Sequence, residues 1–219
     1  MKKIIKKVLK VLGVLILVLL VIVAIKFWRD TANPYDNTIA KELIPTFKAI
    51  DLPFTQEYVG SESLPLTASA LIDIDNDGVD EVFFGGGLNQ QDDIFAFKGD
   101  KFESISNQVN LPQKNNLTTL GVASTDFDQN GFTDLIVSRE DGLTIYYNSN
   151  GKFTAKKVDY PLADNATPLG LTLGDVNKDG YVDIFVSNYI RKHQMIGQNN
   201  FSENYGPTSQ LLINNLSST

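Results

Sequence analysis

The chain has 219 residues, 42% of them hydrophobic, no cysteine and a formal net charge of -7. That length allows one domain of ordinary size plus an appendage, and the missing cysteine excludes disulfides and thiolate metal ligands, and with them most zinc and iron–sulfur sites. The charge is split: residues 1–29 hold seven basic groups and no acid, leaving 12 basic against 26 acidic groups in the rest, a surface that repels nucleic-acid phosphates and attracts cations, so no nucleic-acid partner is expected.

Lys2, Lys3, Lys6, Lys7 and Lys10 open the chain, and an unbroken apolar run follows from Val11 to Ile25. Extended to Val8–Trp28, the segment has 21 residues with Lys10 and Lys26 near its ends, where long basic side chains snorkel to the interface. At about 1.5 Å per residue it reaches roughly 30 Å, one hydrocarbon core. Lysines ahead of an apolar run predict a cytoplasmic basic tail (1–7), a single-pass signal-anchor helix (8–28) and a body on the periplasmic or extracellular side. A cleaved signal peptide is the rival, although Lys26, Arg29 and Asp30 crowd the cleavage position; both readings export the body. Residues 29–65 read as a linker with room for an incoming strand.

From residue 66 the sequence repeats. Asp73-Ile-Asp-Asn-Asp-Gly-Val-Asp-Glu81, Asp126-Phe-Asp-Gln-Asn-Gly-Phe-Thr-Asp134 and Asp175-Val-Asn-Lys-Asp-Gly-Tyr-Val-Asp183 start 53 and then 49 positions apart. A period near 50 marks a repeat architecture. Strand-like runs flank each segment: Leu66–Ile72, Leu120–Thr125 and Leu169–Gly174 ahead, Val82–Gly85, Leu135–Ser138 and Ile184–Ser187 behind. Ile94–Phe97 turns at Gly99-Asp100 into Phe102–Ile105, and Leu143–Tyr147 turns at Asn148-Ser-Asn-Gly151 into Phe153–Val158. In the third unit a polar stretch, Tyr189–Thr208, reads as a surface insertion before a last strand at Gln210–Ile213. The expectation is an all-β body, a partial β-propeller of about three four-stranded blades (66–118, 119–168, 169–219), preceded by one transmembrane helix. A propeller needs at least four blades to close, so the chain reads as a piece of a longer protein.

The Asp-rich segments carry the chemistry. Calcium takes six to eight oxygens from carboxylates, amides and backbone carbonyls. D-x-D-x-D-G-x-x-D supplies side-chain oxygens at positions 1, 3, 5 and 9 and a carbonyl at position 7, while the position-6 glycine permits the tight turn. The predicted ligands are Asp73, Asp75, Asp77, Val79 and Glu81 in loop one, Asp126, Asp128, Asn130, Phe132 and Asp134 in loop two, and Asp175, Asn177, Asp179, Tyr181 and Asp183 in loop three. Asn130 and Asn177 keep an oxygen but drop a charge, so loops two and three offer three negative charges against four. Ordinary Asx/Gly turns are the bland alternative; three in register between strands argue against it. An EF-hand needs a glutamate at position 12 and flanking helices, but Phe84, Val137 and Val186 stand there. Magnesium suits the loops less, because it prefers to keep several waters.

On these residues the chain resembles the FG-GAP/VCBS repeat proteins, the integrin-α-like propellers. The resemblance lies in Gly121-Val-Ala-Ser-Thr-Asp-Phe-Asp-Gln-Asn-Gly-Phe-Thr-Asp-Leu-Ile-Val137, in Gly170 through Tyr189, and in the closing Leu211-Leu-Ile-Asn-Asn215; it spans about residues 66–216 and is nearest the branch of cartilage acidic protein and ASPIC/UnbV-type proteins. It implies a seven- or eight-bladed propeller with calcium between the first two strands of a blade. The Gly-Ala-Pro element is absent, with only Gly121-Val-Ala123 near it, so integrin-like ligand recognition is not implied.

The function expected is calcium-stiffened binding of a protein or carbohydrate outside the membrane, without catalysis. The competing readings are a propeller domain of a polysaccharide-active enzyme such as a lyase, and a structural accessory of the envelope. Lys98-Gly99-Asp100 resembles an adhesion tripeptide but sits where a hairpin needs its turn. The single histidine, His193, falls in the polar insertion, within the small basic island Arg191-Lys192-His193, and no nucleophile elbow or phosphate-cradling loop is present.

Overall fold

The computed structural model describes residues 2–31, 45–59, 66–112, 116–191 and 206–215. His193, Lys192 and most of the Tyr189–Thr208 stretch lie outside the described residues. The chain divides into two units, residues 1–49 and 50–219.

The first unit holds helix α1, Lys2–Thr31. Its apolar side chains are exposed all round, and Lys3–Arg29 is long and apolar enough to cross a membrane, a property that signal sequences share. The helix runs past both ends of the expected 8–28, because lysine and arginine are good helix formers.

The second unit is built of three antiparallel sheets. Sheet one runs β1 (Ser69–Ile72), β2 (Glu81–Phe84), β3 (Asp93–Lys98), β4 (Lys101–Ser104) in spatial order. Sheet two repeats this with β5 (Gly121–Thr125), β6 (Asp134–Arg139), β7 (Gly142–Ser149) and β8 (Lys152–Lys157). Sheet three has β9 (Ala166–Gly174), β10 (Asp183–Ile190) and β11 (Gln210–Leu212). Each strand pairs with the next along the chain, the meander that short turns dictate. At the β7–β8 hairpin Asn150 (φ 50°) and Gly151 (φ 77°) both take positive φ, the requirement of a two-residue I′ turn.

Sheet three has three strands among the described residues, at the three strand-like runs of its unit. One expectation is corrected. Tyr189 and Ile190 are not insertion but the end of β10: a bulge between Ser187 and Asn188 lets the ladder continue through Asn188–Pro168, Tyr189–Thr167 and Ile190–Ala166. Past the bulge, the same ladder extends β9 back to Ala166.

The sheets stack face to face, with the first strand of each beside the next: β5 approaches both β1 and β9. One apolar cluster lies between sheets one and two, where Ile72, Ile74, Phe83 and Ile94 meet Leu135, Val137, Tyr146 and Phe153. Ile105, Val109 and Leu111, from the connection after β4, fill the outer part of that gap. A second cluster joins sheets two and three through Phe127, Ile136, Leu143, Ile145, Ile184 and Val186. Beside the first cluster a buried polar group of Asp92, Thr119, Arg139 and Tyr146 fastens sheet one to sheet two.

Equivalent positions in the repeat meet different surroundings. Phe83, Ile136 and Phe185 are each the third residue of a second strand; the first two are fully buried, whereas Phe185 is 42% exposed. At position 2 of the Asp-rich loops Ile74 and Phe127 are buried and Val176 is 57% exposed. The next sheet covers each of the first two, and full burial of such a side chain is worth about 1.5–3 kcal/mol.

Residues 45–59 have no regular structure, so no incoming strand lies in that part of the linker. Within the second unit, Phe54, Thr55 and Glu57 lie against sheet one and its β2–β3 connection instead. Phe54 packs tilted against Phe84 and edge-on to Phe95, with ring centroids 5.5 and 6.0 Å away. Side chains replace a ladder here: the Glu57 N–H donates to Gln90 Oε1 (2.7 Å), and Gln90 Nε2 donates to the Thr55 carbonyl (2.9 Å).

Candidate metal centre

Each Asp-rich loop joins the first and second strands of its sheet, and all three close on the same hydrogen bonds. The position-1 carboxylate takes two N–H groups. Asp73 accepts from Asp77 (3.1 Å) and Gly78 (3.0 Å), Asp126 from Asn130 (3.1 Å) and Gly131 (2.8 Å), Asp175 from Asp179 (3.2 Å) and Gly180 (2.9 Å). The position-5 oxygen takes the position-7 N–H: Asp77 from Val79 (2.7 Å), Asn130 from Phe132 (2.8 Å), Asp179 from Tyr181 (2.8 Å). The position-9 carboxylate takes the position-2 N–H: Glu81 from Ile74 (3.1 Å), Asp134 from Phe127 (2.8 Å), Asp183 from Val176 (2.9 Å).

In two of the three loops carboxylate oxygens gather. Carboxylate oxygens of Asp73, Asp75 and Asp77 lie within 4.8 Å of one another, as do those of Asp126, Asp128 and Asp134. Ligands of one calcium stand about 2.3–2.6 Å from it, hence within about 5 Å of each other, so both clusters match a single ion. The donors are all oxygen, the chemistry of a hard cation. Asp175, Asp179 and Asp183 are not drawn together in this way; Asn177 Nδ2 donates to Asp179 Oδ2 at 2.8 Å and holds that carboxylate within its own loop.

The position-9 side chains sit deepest, buried at the start of the second strands. Burial raises the Glu81 carboxyl above its ordinary range, against the Ile74 N–H, with Asp75, Asp77 and Asp73 adding repulsion. Asp134 is pushed up to about 6, first by burial and then by Asp128 and Asp126, despite the N–H bonds from Asn148 and Phe127. A cation held among these carboxylates would offset the repulsive part of both shifts.

Residues 73–137 and 126–186 each match the FG-GAP-like repeat, together more than half of the chain. The chain belongs to the FG-GAP-like repeat family. Each match runs from one Asp-rich loop through the next, so the FG-GAP-like unit takes the last three strands of one sheet and the first strand of the next. No curated protein matches the chain.

Two features of these FG-GAP-like repeats escape a reading of the sequence. At position 4, Asn76, Gln129 and Lys178 all take left-handed backbone, φ 61°, 60° and 62°, beside the glycines at position 6. Asparagine tolerates that conformation; glutamine and lysine give no such signal. The second feature is an asparagine closing the third strand. Asn148 N–H donates to Asp134 Oδ1 (2.7 Å), and Asn214 N–H to Asp183 Oδ1 (2.9 Å). Their side chains reach the position-8 carbonyls, Asn148 to Thr133 (3.1 Å) and Asn214 to Val182 (3.3 Å). The recurrence of asparagine after Tyr146-Tyr147 and after Leu212-Ile213 was the signal available.

Proposed function

We propose that the body is a calcium-binding propeller-type module that contacts a protein or carbohydrate outside the cytoplasm, held at the membrane by α1. The observations that support it are the bonds that all three loops share at positions 1, 5 and 9 and the carboxylate oxygens gathered within 4.8 Å of one another in loops one and two. The ligands would be Asp73, Asp75, Asp77, Glu81 and the Val79 carbonyl, then Asp126, Asp128, Asn130, Asp134 and the Phe132 carbonyl, then Asp175, Asn177, Asp179, Asp183 and the Tyr181 carbonyl. Five or more protein oxygens suit calcium, whereas magnesium keeps its waters. The ion would supply rigidity to the strand connections, a role that disulfides cannot fill in a chain without cysteine. Lys2, Lys3, Lys6, Lys7 and Lys10, in the first turns of α1 and ahead of its apolar run, favour an external body. The stretches Gly170–Tyr189 and Leu211–Asn215 support placement in the branch of cartilage acidic protein and ASPIC/UnbV-type proteins.

The test is isothermal titration of the full chain in detergent micelles. Calcium should bind at about 10⁻⁴–10⁻³ M, the range of extracellular modules, and raise the melting temperature by mass action. Magnesium should do so weakly. No heat and an unchanged melting temperature in millimolar calcium would overturn the reading. A reporter fused after residue 219 that is active inside the cytoplasm would overturn the topology.

A further inference from the structure

The loops of neighbouring sheets are joined to each other by side chains that are not candidate ligands. Asn76 Nδ2, at position 4 of loop one, donates to the Gly131 carbonyl, at position 6 of loop two, at 2.8 Å. Gln129 Nε2, at position 4 of loop two, donates to the Gly180 carbonyl, at position 6 of loop three, at 2.7 Å. The same strut is therefore built twice, once with a shorter and once with a longer amide. Its donor sits between positions 3 and 5 of one loop, and its acceptor between positions 5 and 7 of the next. Both ends are thus flanked by candidate ligands.

We infer that Asn76 and Gln129 are positioning residues that couple adjacent cation loops, so that the loops fill with positive cooperativity. The inference rests on the cation reading above. An ion held by positions 5 and 7 of loop two orders the peptide that carries the Gly131 carbonyl. Through the strut it also orders the Asn76 backbone, on which the oxygens of Asp75 and Asp77 depend. The second ion then meets a loop whose ordering cost is already met, which raises its affinity without a change of shape. Linkage makes the effect reciprocal. The left-handed backbone at position 4 serves the same end, because it turns the amide out of its own loop. Loops one and two share a second connection as well: Asn130 Nδ2 donates to the Asn148 carbonyl (2.8 Å), and Asn148 Nδ2 donates to the Ile74 carbonyl of loop one (2.8 Å).

The strut is tested at Gln129, where that second connection does not intervene. Each position-6 N–H bonds its own position-1 carboxylate, so the amide resonances of Gly78, Gly131 and Gly180 report the three loops separately in ¹⁵N–¹H spectra of the full chain in micelles. Gln129→Gly removes the amide and keeps the backbone comfortable at positive φ. It should raise the calcium midpoint at Gly180 by about two- to tenfold, the span of one net hydrogen bond. Gln129→Asn should restore it, since asparagine makes the bond from the same position in loop one. Asp126→Ala, which removes the loop-two site, should weaken Gly180 when Gln129 is present and leave it unmoved once Gln129→Gly has cut the strut. Equal Gly180 midpoints in wild type and Gln129→Gly would overturn the coupling, as would an Asp126→Ala effect that persists without Gln129. If calcium moves none of the three glycine amides in wild type, the cation reading itself fails, and the coupling falls with it.

Discussion

The Arg139 guanidinium of sheet two closes on the Asp92 carboxylate beside sheet one at 2.5 Å, with both side chains almost wholly buried. Asp92 is saturated: Oδ1 takes the Gly86 N–H (2.8 Å) and the Thr119 hydroxyl (2.7 Å), and Oδ2 also faces the Tyr146 hydroxyl. Burial, with Asp92 beside it, pushes the Tyr146 phenol up to about 12. Removing one partner strands the other charge, so Asp92→Ala should cost about 3–5 kcal/mol in urea denaturation. Asp92→Leu with Arg139→Met should recover much of the loss. A single substitution costing under about 1 kcal/mol would show that the pair does not fasten the sheets.

Sheets two and three pack tightly at Gly121. A β-carbon there would stand 2.0 Å from the Leu169 carbonyl oxygen, a backbone atom that cannot turn aside. Gly121→Ala should therefore destabilise by at least about 2 kcal/mol or prevent folding. Gly174, on the next sheet's first strand, has open space around it, so Gly174→Ala should be neutral or stabilise by up to about 1 kcal/mol. Similar melting curves for the two variants would contradict the close packing of the sheets.

Repeat-equivalent phenylalanines should behave differently. Phe83→Ala empties a fully buried site and should cost about 3–5 kcal/mol. Phe185→Ala, at the same place in β10, should cost no more than about 1.5 kcal/mol, since 42% of that residue is already exposed. Equal losses in denaturant unfolding would mean that the outer face of sheet three is covered in solution.

Acid should oppose cation binding at loop two. With Asp134 raised from 3.8 to about 6, the metal-free fold binds its proton more readily than the unfolded chain does. This contribution to stability is fully present below about pH 4 and is lost as pH rises through 6. A cation needs the ionised carboxylate, so the calcium midpoint at Gly131 should rise by up to about tenfold per unit below pH 6. An identical midpoint at pH 5 and pH 7.5 would remove Asp134 from the ligand set.

Local chemistry was legible in the sequence. The apolar run of α1, the period near 50 and the Asp/Gly spacing of the loops each follow from near neighbours along the chain, because a strand, a turn or a spanning helix is specified within a few residues. Each Asp-rich loop lies between the first and second strands of its sheet, as the flanking runs imply. The tertiary structure alone decided what depends on distant partners. Arg139 and Asp92 are 47 residues apart, and Asn148 meets the Ile74 carbonyl across 74. Nothing in Phe83, Ile136 and Phe185 as residues tells which of them a neighbouring sheet covers. The left-handed backbone of Gln129 and Lys178 runs against their own preference, and at Gln129 the turned-out amide finds its carbonyl only once a second sheet has packed alongside.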